Sequence, residues 1–189
     1  MAKKKKKSVP YIGIVGMGYV GLPLSREFCL GGAKVLGFDC NNQRVKFLNS
    51  GHSPIKHLAH KQVKELILSK KFKATDQMSQ LSKVDAIIIC VPTPLTENRE
   101  PDMSYVVKTC ETVNKYLRKG QLVVLESTTY PGTTKELMKP ILEKSGLKAG
   151  KDFYLAYSPE REDPGNKNFR TSTIPKVVGG LDKASLDKS

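Results

Sequence analysis

Gly16-Met17-Gly18-Tyr19-Val20-Gly21 follows the apolar run Tyr11 to Val15 and opens a stretch with helical spacing. By itself this pattern can be no more than a glycine-rich turn. Between a strand and a helix each glycine has its own purpose. The first allows the tight turn, the second lets backbone approach a pyrophosphate, and the third lets helix and strand pack closely. The free N–H groups and positive dipole end of the helix then face the phosphates. Working outward, Lys34-Val-Leu-Gly-Phe-Asp39 supplies a second strand that ends in an acid 18 residues past Gly21, close to the spacing of about 20 for a ribose-binding carboxylate. Strand, glycine turn, helix, strand and acid together read as a dinucleotide site.

Asp39 also bears on which dinucleotide. A carboxylate at the end of the second strand accepts hydrogen bonds from ribose hydroxyls and repels a 2′-phosphate, which favours NAD over NADP. Arg44 tempers this, since it can pair with a 2′-phosphate, lie along an adenine, or be a solvated helix residue.

The chain has 189 residues and a net charge of +14; Lys3 to Lys7 carry five of these charges and leave +9 on the rest. That length suits one domain with a sizeable core. Residues 1–9 read as a disordered basic tail and 10–189 as the folded domain. No aromatic interleaving, zinc spacing or recognition-helix pattern accompanies the lysines, so no nucleic acid is expected as a partner. A basic body suits anionic ligands such as NAD and nucleotide sugars. Cys29, Cys40, Cys90 and Cys110 lack metal-type spacing and read as reduced core thiols. His52, His57 and His60 have no metal-type partners, and no metal is expected. The lysine run is not followed by an apolar signal-type segment and no stretch approaches a membrane span, so a cytoplasmic protein without a membrane partner is the expectation.

Strand-like runs occur at Tyr11 to Val15, Lys34 to Phe38, Phe72 to Thr75, Asp85 to Val91, Gln121 to Glu126, Phe153 to Tyr157 and Lys176 to Val178. Helical patterns lie at about Val20 to Leu30, Asn42 to Asn49, Lys61 to Ser69, Tyr105 to Leu117 and Thr134 to Lys144. Asp102 or Ser104 can cap the fourth of these and Thr133 the fifth. This alternation specifies right-handed βαβ crossovers and an α/β fold, a doubly wound, mainly parallel sheet of Rossmann type in a single domain. Ligands bind beyond the carboxyl ends of such strands. The segments there are Gly16 to Gly21, Asp39 to Arg44, Pro92 to Leu95, Ser127 to Gly132 and Ser158 to Asp163.

Those segments resemble the UDP-glucose/GDP-mannose dehydrogenase family. The matching motifs are Gly-Tyr-Val-Gly-Leu-Pro at 18–23, Cys-Val-Pro-Thr-Pro-Leu at 90–95, Pro-Asp-Met-Ser-Tyr at 101–105, Glu-Ser-Thr-Thr-Tyr-Pro-Gly-Thr-Thr at 126–134 and Ser-Pro-Glu-Arg-Glu-Asp-Pro-Gly-Asn at 158–166. They come in the family's order and span the chain from Tyr11 to Gly180. Ser53-Pro-Ile-Lys-His57 and the last motif look more like the UDP-N-acetylglucosamine 6-dehydrogenase branch than the UDP-glucose branch.

The resemblance implies oxidation of a sugar C6 alcohol to a carboxylate with two NAD molecules, by way of an aldehyde and a cysteine thioester that water hydrolyses. It implies a cofactor site made of Gly16, Gly18, Tyr19, Val20, Gly21, Asp39, Arg44, Pro92, Thr93, Ser127 and Thr128. Thr129 matches the threonine that positions a catalytic water; a helix-capping hydroxyl is the plainer reading. Glu160 matches the glutamate active in thioester hydrolysis, a role suited to a partly desolvated carboxylate; it can equally be a surface acid. Arg161 resembles a substrate-binding residue for a UDP-sugar, or is a solvated arginine. Ser127 and Thr128 can simply satisfy backbone near the cofactor, Pro92-Thr93-Pro94 can be a structural turn, and Lys56 and His57 either approach a ligand or decorate a loop.

The family's nucleophilic cysteine lies in a glycine-rich segment of a longer chain, alongside a lysine and an asparagine of a central domain, and none of that is present here. The covalent route therefore lacks its nucleophile. The expectation is the NAD-binding domain of a larger dehydrogenase, able to bind NAD and inert alone. The full-length family is homo-oligomeric largely through its central region, so a monomer is expected here. The alternative is a non-catalytic NAD-binding or regulatory module.

Overall fold

Seven strands form one sheet among the described residues, 9–160 and 175–189 of the computed structural model: β1 (Tyr11–Val15), β2 (Lys34–Phe38), β3 (Phe72–Thr75), β4 (Ala86–Ile89), β5 (Leu122–Leu125), β6 (Tyr154–Tyr157) and β7 (Gly179–Gly180). Their order is β3-β2-β1-β4-β5-β6-β7. Every neighbouring pair is parallel except β6 and β7. The chain winds outward from β1 to β3, then crosses back to place β4 on the other side of β1. Strand order thus reverses between β1 and β4, and the crevice of a doubly wound sheet opens there.

Helices cover both faces because the strands are apolar on both. On one side α1 (Gly21–Leu30), α2 (Asn42–Asn49) and α3 (His60–Leu68) press Leu22, Leu48 and Val63 against Ile14, Val35 and Ile88. On the other, α4 (Ser104–Tyr116) and α5 (Lys139–Glu143) pack against Ile87, Ile89 and Val123. The buried residues of α4 are Val106, Cys110 and Val113, a spacing of one helical stripe. Burial of each valine contributes about 2 kcal/mol before entropy is counted. After β7 comes α6 (Lys183–Lys188), whose start is capped by Asp182.

Four local expectations are corrected. The helix foreseen from Thr134 to Lys144 is a π-helical stretch, Thr133–Met138, running into the short α5. Pro140 has no N–H to donate and so interrupts a regular ladder across this join. The stretch begins at Gly132 in a left-handed conformation, φ 93°, without a side-chain cap; Thr133 instead donates its hydroxyl to the Tyr130 carbonyl at 2.8 Å. Neither Asp102 nor Ser104 is the residue before α4; Met103 is, while Asp102 accepts the Ser104 N–H at 2.9 Å.

The strand foreseen at Lys176 to Val178 falls instead at Gly179–Gly180, antiparallel to β6. Val177 and Val178 are exposed. A short 3₁₀ turn, Met78–Lys83, joins β3 to β4 and was not foreseen. Its carbonyl ends are held by side chains from far along the chain: Gln121 Nε2 donates to Leu81 O at 2.8 Å and Arg118 Nε to Ser82 O at 2.8 Å.

Candidate functional site

The strand registers decide what faces the crevice. Val15 pairs with Phe38 and with Ile89, Ile89 with Leu125, and Leu125 with Tyr157. The next residue of each strand therefore falls in one row along the carboxyl edge: Asp39, Gly16, Cys90, Glu126 and Ser158. Backbone bonds carry the pairing into that row, from Gly16 N to Phe38 O (2.8 Å), Cys90 N to Val15 O (2.8 Å), Glu126 N to Ile89 O (2.8 Å) and Ser158 N to Leu125 O (3.0 Å). Asp39 and Glu126 stand three strands apart in it, about 14 Å at the usual spacing.

Above the row lies a cleft of about 990 Å³. Gly16, Gly18, Tyr19 and Val20 line it from the first loop, Asp39 and Arg44 from the second, Pro92 and Thr93 from the third, Ser127 and Thr128 from the fourth, and Glu160 from the fifth. Four of the sequence motifs thus meet over one edge with the start of the last.

The first loop is built by what cannot fit. Gly16 has φ +99°, and a Cβ there would strike the Cys90 carbonyl oxygen. A Cβ on Gly21 would overlap the Gly16 carbonyl oxygen and lie 3.1 Å from Ile14 Cγ2, so this glycine sits behind the cleft at the join of helix and strand. A Cβ on Gly18 would meet nothing within 4 Å, because it faces open space. The helix that follows starts without a side-chain cap and with no acid in its first turn, which leaves its positive end uncompensated and suited to an anion. These are the requirements of a dinucleotide diphosphate, and the residues present fit it.

Asp39, 6% exposed, has its carboxylate held on both oxygens. Oδ2 accepts the Met17 N–H at 3.0 Å and an Arg44 guanidinium N–H at 3.1 Å, while Oδ1 accepts the Asn41 N–H at 2.9 Å. Arg44 is thereby engaged with the acid rather than held out alone. Met17 is itself fully buried, its sulfur occupying the space that a Cβ on Gly37 would need. Tyr19 stacks on His57, ring centroids 5.0 Å apart, so His57 braces the first loop from the segment whose Pro54 and Ile55 also line the cleft. His52 and His60 lie away from it, packed on Phe47. Among the described residues no three His, Cys, Asp or Glu side chains are grouped as metal ligands.

At the other end, Ser127 donates its hydroxyl to the Val91 carbonyl at 2.8 Å, tying the loops after β4 and β5 together. Thr128 is exposed to the cleft. Thr129 is not among the residues that line it; its hydroxyl lies 2.6 Å from that of Thr133, and 3.8 Å from the Met103 sulfur. Arg161 lies outside the described residues. Sequence reading passed over Glu126, which is 5% exposed, lines the cleft, and accepts a hydrogen bond from Lys176 Nζ. The signal was present in the strand count, since Glu126 directly follows the last apolar residue of β5. It also passed over Tyr105, Lys108 and Thr112, which line the cleft from one side of α4.

The cysteines divide. Cys29, Cys90 and Cys110 are buried, whereas Cys40, expected in the core, is exposed beside Asp39. Burial pushes the Cys90 thiol up to about 12, with Glu160 adding to the rise and Lys176 opposing it. Burial likewise lifts Cys110 to about 12 and Cys29 to about 11. Lys176 is shifted below the ordinary lysine value, again by burial. No described helix is long and apolar enough to cross a membrane.

Comparison with known proteins agrees with this geometry. The chain is 42% identical over 172 residues to the UDP-N-acetyl-D-glucosamine 6-dehydrogenase of Pseudomonas aeruginosa, covering 89% of this chain and 39% of that protein. It is 35% identical over 180 residues to the UDP-N-acetyl-D-mannosamine dehydrogenase of Pyrococcus horikoshii, covering 93% and 42%. Among solved structures, the NDP-N-acetyl-D-galactosaminuronic acid dehydrogenase of Methanosarcina mazei Go1 superposes with a TM-score of 0.87 at 39% identity, over 95% of this chain and 40% of that one. The chain thus spans about two fifths of the length of the relatives it matches. Residues 11–189 match the NAD binding domain of the UDP-glucose/GDP-mannose dehydrogenase family, and the chain belongs to that family.

Proposed function

We propose that this chain is the cofactor-binding part of a nucleotide-sugar 6-dehydrogenase that oxidises the C6 alcohol of UDP-N-acetylglucosamine, or of a related UDP-sugar, to the uronate with two NAD. The observation that carries the reading is the single row from Asp39 to Ser158 beneath one cleft, with a glycine loop over its middle. The greater identity to the glucosamine enzyme than to the mannosamine enzyme, 42% against 35%, supports the choice of sugar.

Bound NAD supplies the hydride acceptor. Asp39, oriented by Met17, Asn41 and Arg44, accepts the ribose hydroxyl hydrogens of the adenosine half. The loop from Gly16 to Gly21 and the start of α1 receive the diphosphate. The loops of Thr93 and Thr128, at the ends of β4 and β5, would hold the nicotinamide half, with Glu160 lining the same cleft to hold or move a proton. Arg161 is kept as a substrate-binding residue. In this arrangement Thr128 is the hydroxyl that faces the cofactor, and Thr129 shapes the turn beneath it.

Within this reading the chain alone binds NAD without turnover. Cys29, Cys90 and Cys110 are buried and neutral at ordinary pH, hence poor nucleophiles. Cys40 stands at the ribose end, about three strands from the nicotinamide. Calorimetry with NAD, followed by absorbance of reduced cofactor on adding UDP-N-acetylglucosamine or UDP-N-acetylmannosamine, tests both parts. Heat with NAD and no reduced cofactor is the expected result. Folded protein that gives no heat with NAD overturns the site; turnover overturns the inertness.

A further inference from the structure

Glu126 and Lys176 form an ion pair at the end of the cleft where the proposed function places the nicotinamide. Among the described residues, Glu126, Glu160 and Lys176 come together at this end. Glu126 is 5% exposed in the row, Glu160 lines the cleft two residues past Ser158, and Lys176 arrives from the segment just before β7. All three stand round Cys90: register puts Glu126 beside it, and the Cys90 thiol feels the charges of Lys176 and Glu160. The charges of the other end, Asp39 and Arg44, are paired with each other. Glu126 and Lys176 thus set one carboxylate against one ammonium at this end.

That balance has a chemical reader. The oxidised nicotinamide ring carries one positive charge and the reduced ring carries none, while the rest of the dinucleotide is identical. A fixed charge near the ring changes the affinity of one redox form and leaves the other almost untouched. Partly buried charges are also screened little by salt.

We infer that the Glu126–Lys176 pair sets the preference of this site between the oxidised and reduced cofactor, with Lys176 offsetting the pull of the Glu126 carboxylate on the cationic ring. Lys176 is thus a residue specifying redox state, and its role is distinct from holding the fold. The inference rests on the placement of the nicotinamide in the proposed function.

The test is the ratio of dissociation constants for NADH and NAD, measured by calorimetry on the whole chain and its variants at one neutral pH. Lys176→Met removes the opposing charge, so NAD is favoured and the ratio rises about tenfold. Glu126→Gln takes away the partner of the ammonium, and the ratio falls by a similar factor. The double variant restores a ratio near that of the parent chain, and Lys176→Arg keeps it. A structural role alone weakens both cofactor forms together and moves no ratio. Ratios that stay constant across the set, or that move the same way in both single variants, overturn the inference. Loss of all NAD binding in the parent chain overturns the proposed function instead.

Discussion

The Asp39 carboxylate accepts the Met17 N–H at 3.0 Å, which makes the acid at the end of β2 and the glycine loop after β1 one hydrogen-bonded unit. Asp39→Asn keeps the shape but loses the charge that the Met17 and Asn41 amides and Arg44 are arranged to meet. Charge-assisted bonds of this kind are worth about 2 kcal/mol. NAD affinity is expected to fall about tenfold or more, while NADP gains relative to NAD because repulsion of its 2′-phosphate is gone and Arg44 is released. Titration of both cofactors against the variant reads this; an unchanged preference assigns the ribose to another residue.

Gly18 and Gly21 separate binding from folding. A Cβ on Gly18 meets nothing within 4 Å, whereas one on Gly21 overlaps the Gly16 carbonyl. Gly18→Ala is expected to leave the melting temperature within about 2 °C of the parent chain and to weaken NAD several-fold, the methyl occupying the space of the diphosphate. Gly21→Ala forces backbone apart at a cost of about 2 kcal/mol, a drop of about 4 to 8 °C. Thermal melts with and without NAD distinguish the two. A Gly18→Ala chain that binds NAD unchanged places the diphosphate elsewhere.

The sheet was legible because β1, β2 and β3 are closed at their carboxyl ends by Gly16, Asp39 and Asp76; all three begin and end where the sequence puts them. Longer apolar runs were trimmed, Asp85 to Val91 becoming Ala86–Ile89, with single backbone bonds from Asp85 and Cys90 to β1 continuing the pairing at each end. What sequence hid depends on partners distant along the chain. Glu126 reads as a strand end until Lys176, fifty residues later, is placed on it. The bond between Thr129 and Thr133 likewise needs the left-handed turn at Gly132, and no local pattern marks which of two adjacent threonine hydroxyls will face a cleft.

The thiols give a pH prediction. In the unfolded chain each buried cysteine ionises near its ordinary value, 9.0, whereas in the fold Cys29 is raised to about 11 and Cys90 and Cys110 to about 12. Between these values the unfolded chain has lost protons that the folded chain keeps. Stability is therefore unaffected by these groups below about pH 8 and falls as pH rises from about 9 toward about 11. Denaturant melts across that range check the sign. At neutral pH a thiol reagent is expected to modify Cys40 alone on the native protein, and NAD to slow that reaction, since Cys40 lines the cleft. Rapid modification of a second thiol would contradict the burial of the other three.

Thr128 and Thr129 supply the last test, because the structure gives two neighbouring hydroxyls different surroundings. Thr129 Oγ1 is 2.6 Å from Thr133 Oγ1, and Thr133 is buried at 1% exposure. Thr129→Val removes that partner and is expected to destabilise the turn by about 1 kcal/mol, lowering the melting temperature by about 2 to 4 °C, with NAD affinity little changed. Thr128→Val leaves stability near that of the parent chain, since its side chain is exposed, and on the proposed cofactor placement weakens NAD, because a methyl replaces a hydroxyl of a cleft-lining residue. A dehydrogenase of full length carrying the same pair of substitutions would separate them further. A water-holding role at Thr129 predicts a loss of turnover that tracks Thr129→Val, while the geometry of the cleft predicts that the larger loss follows Thr128→Val.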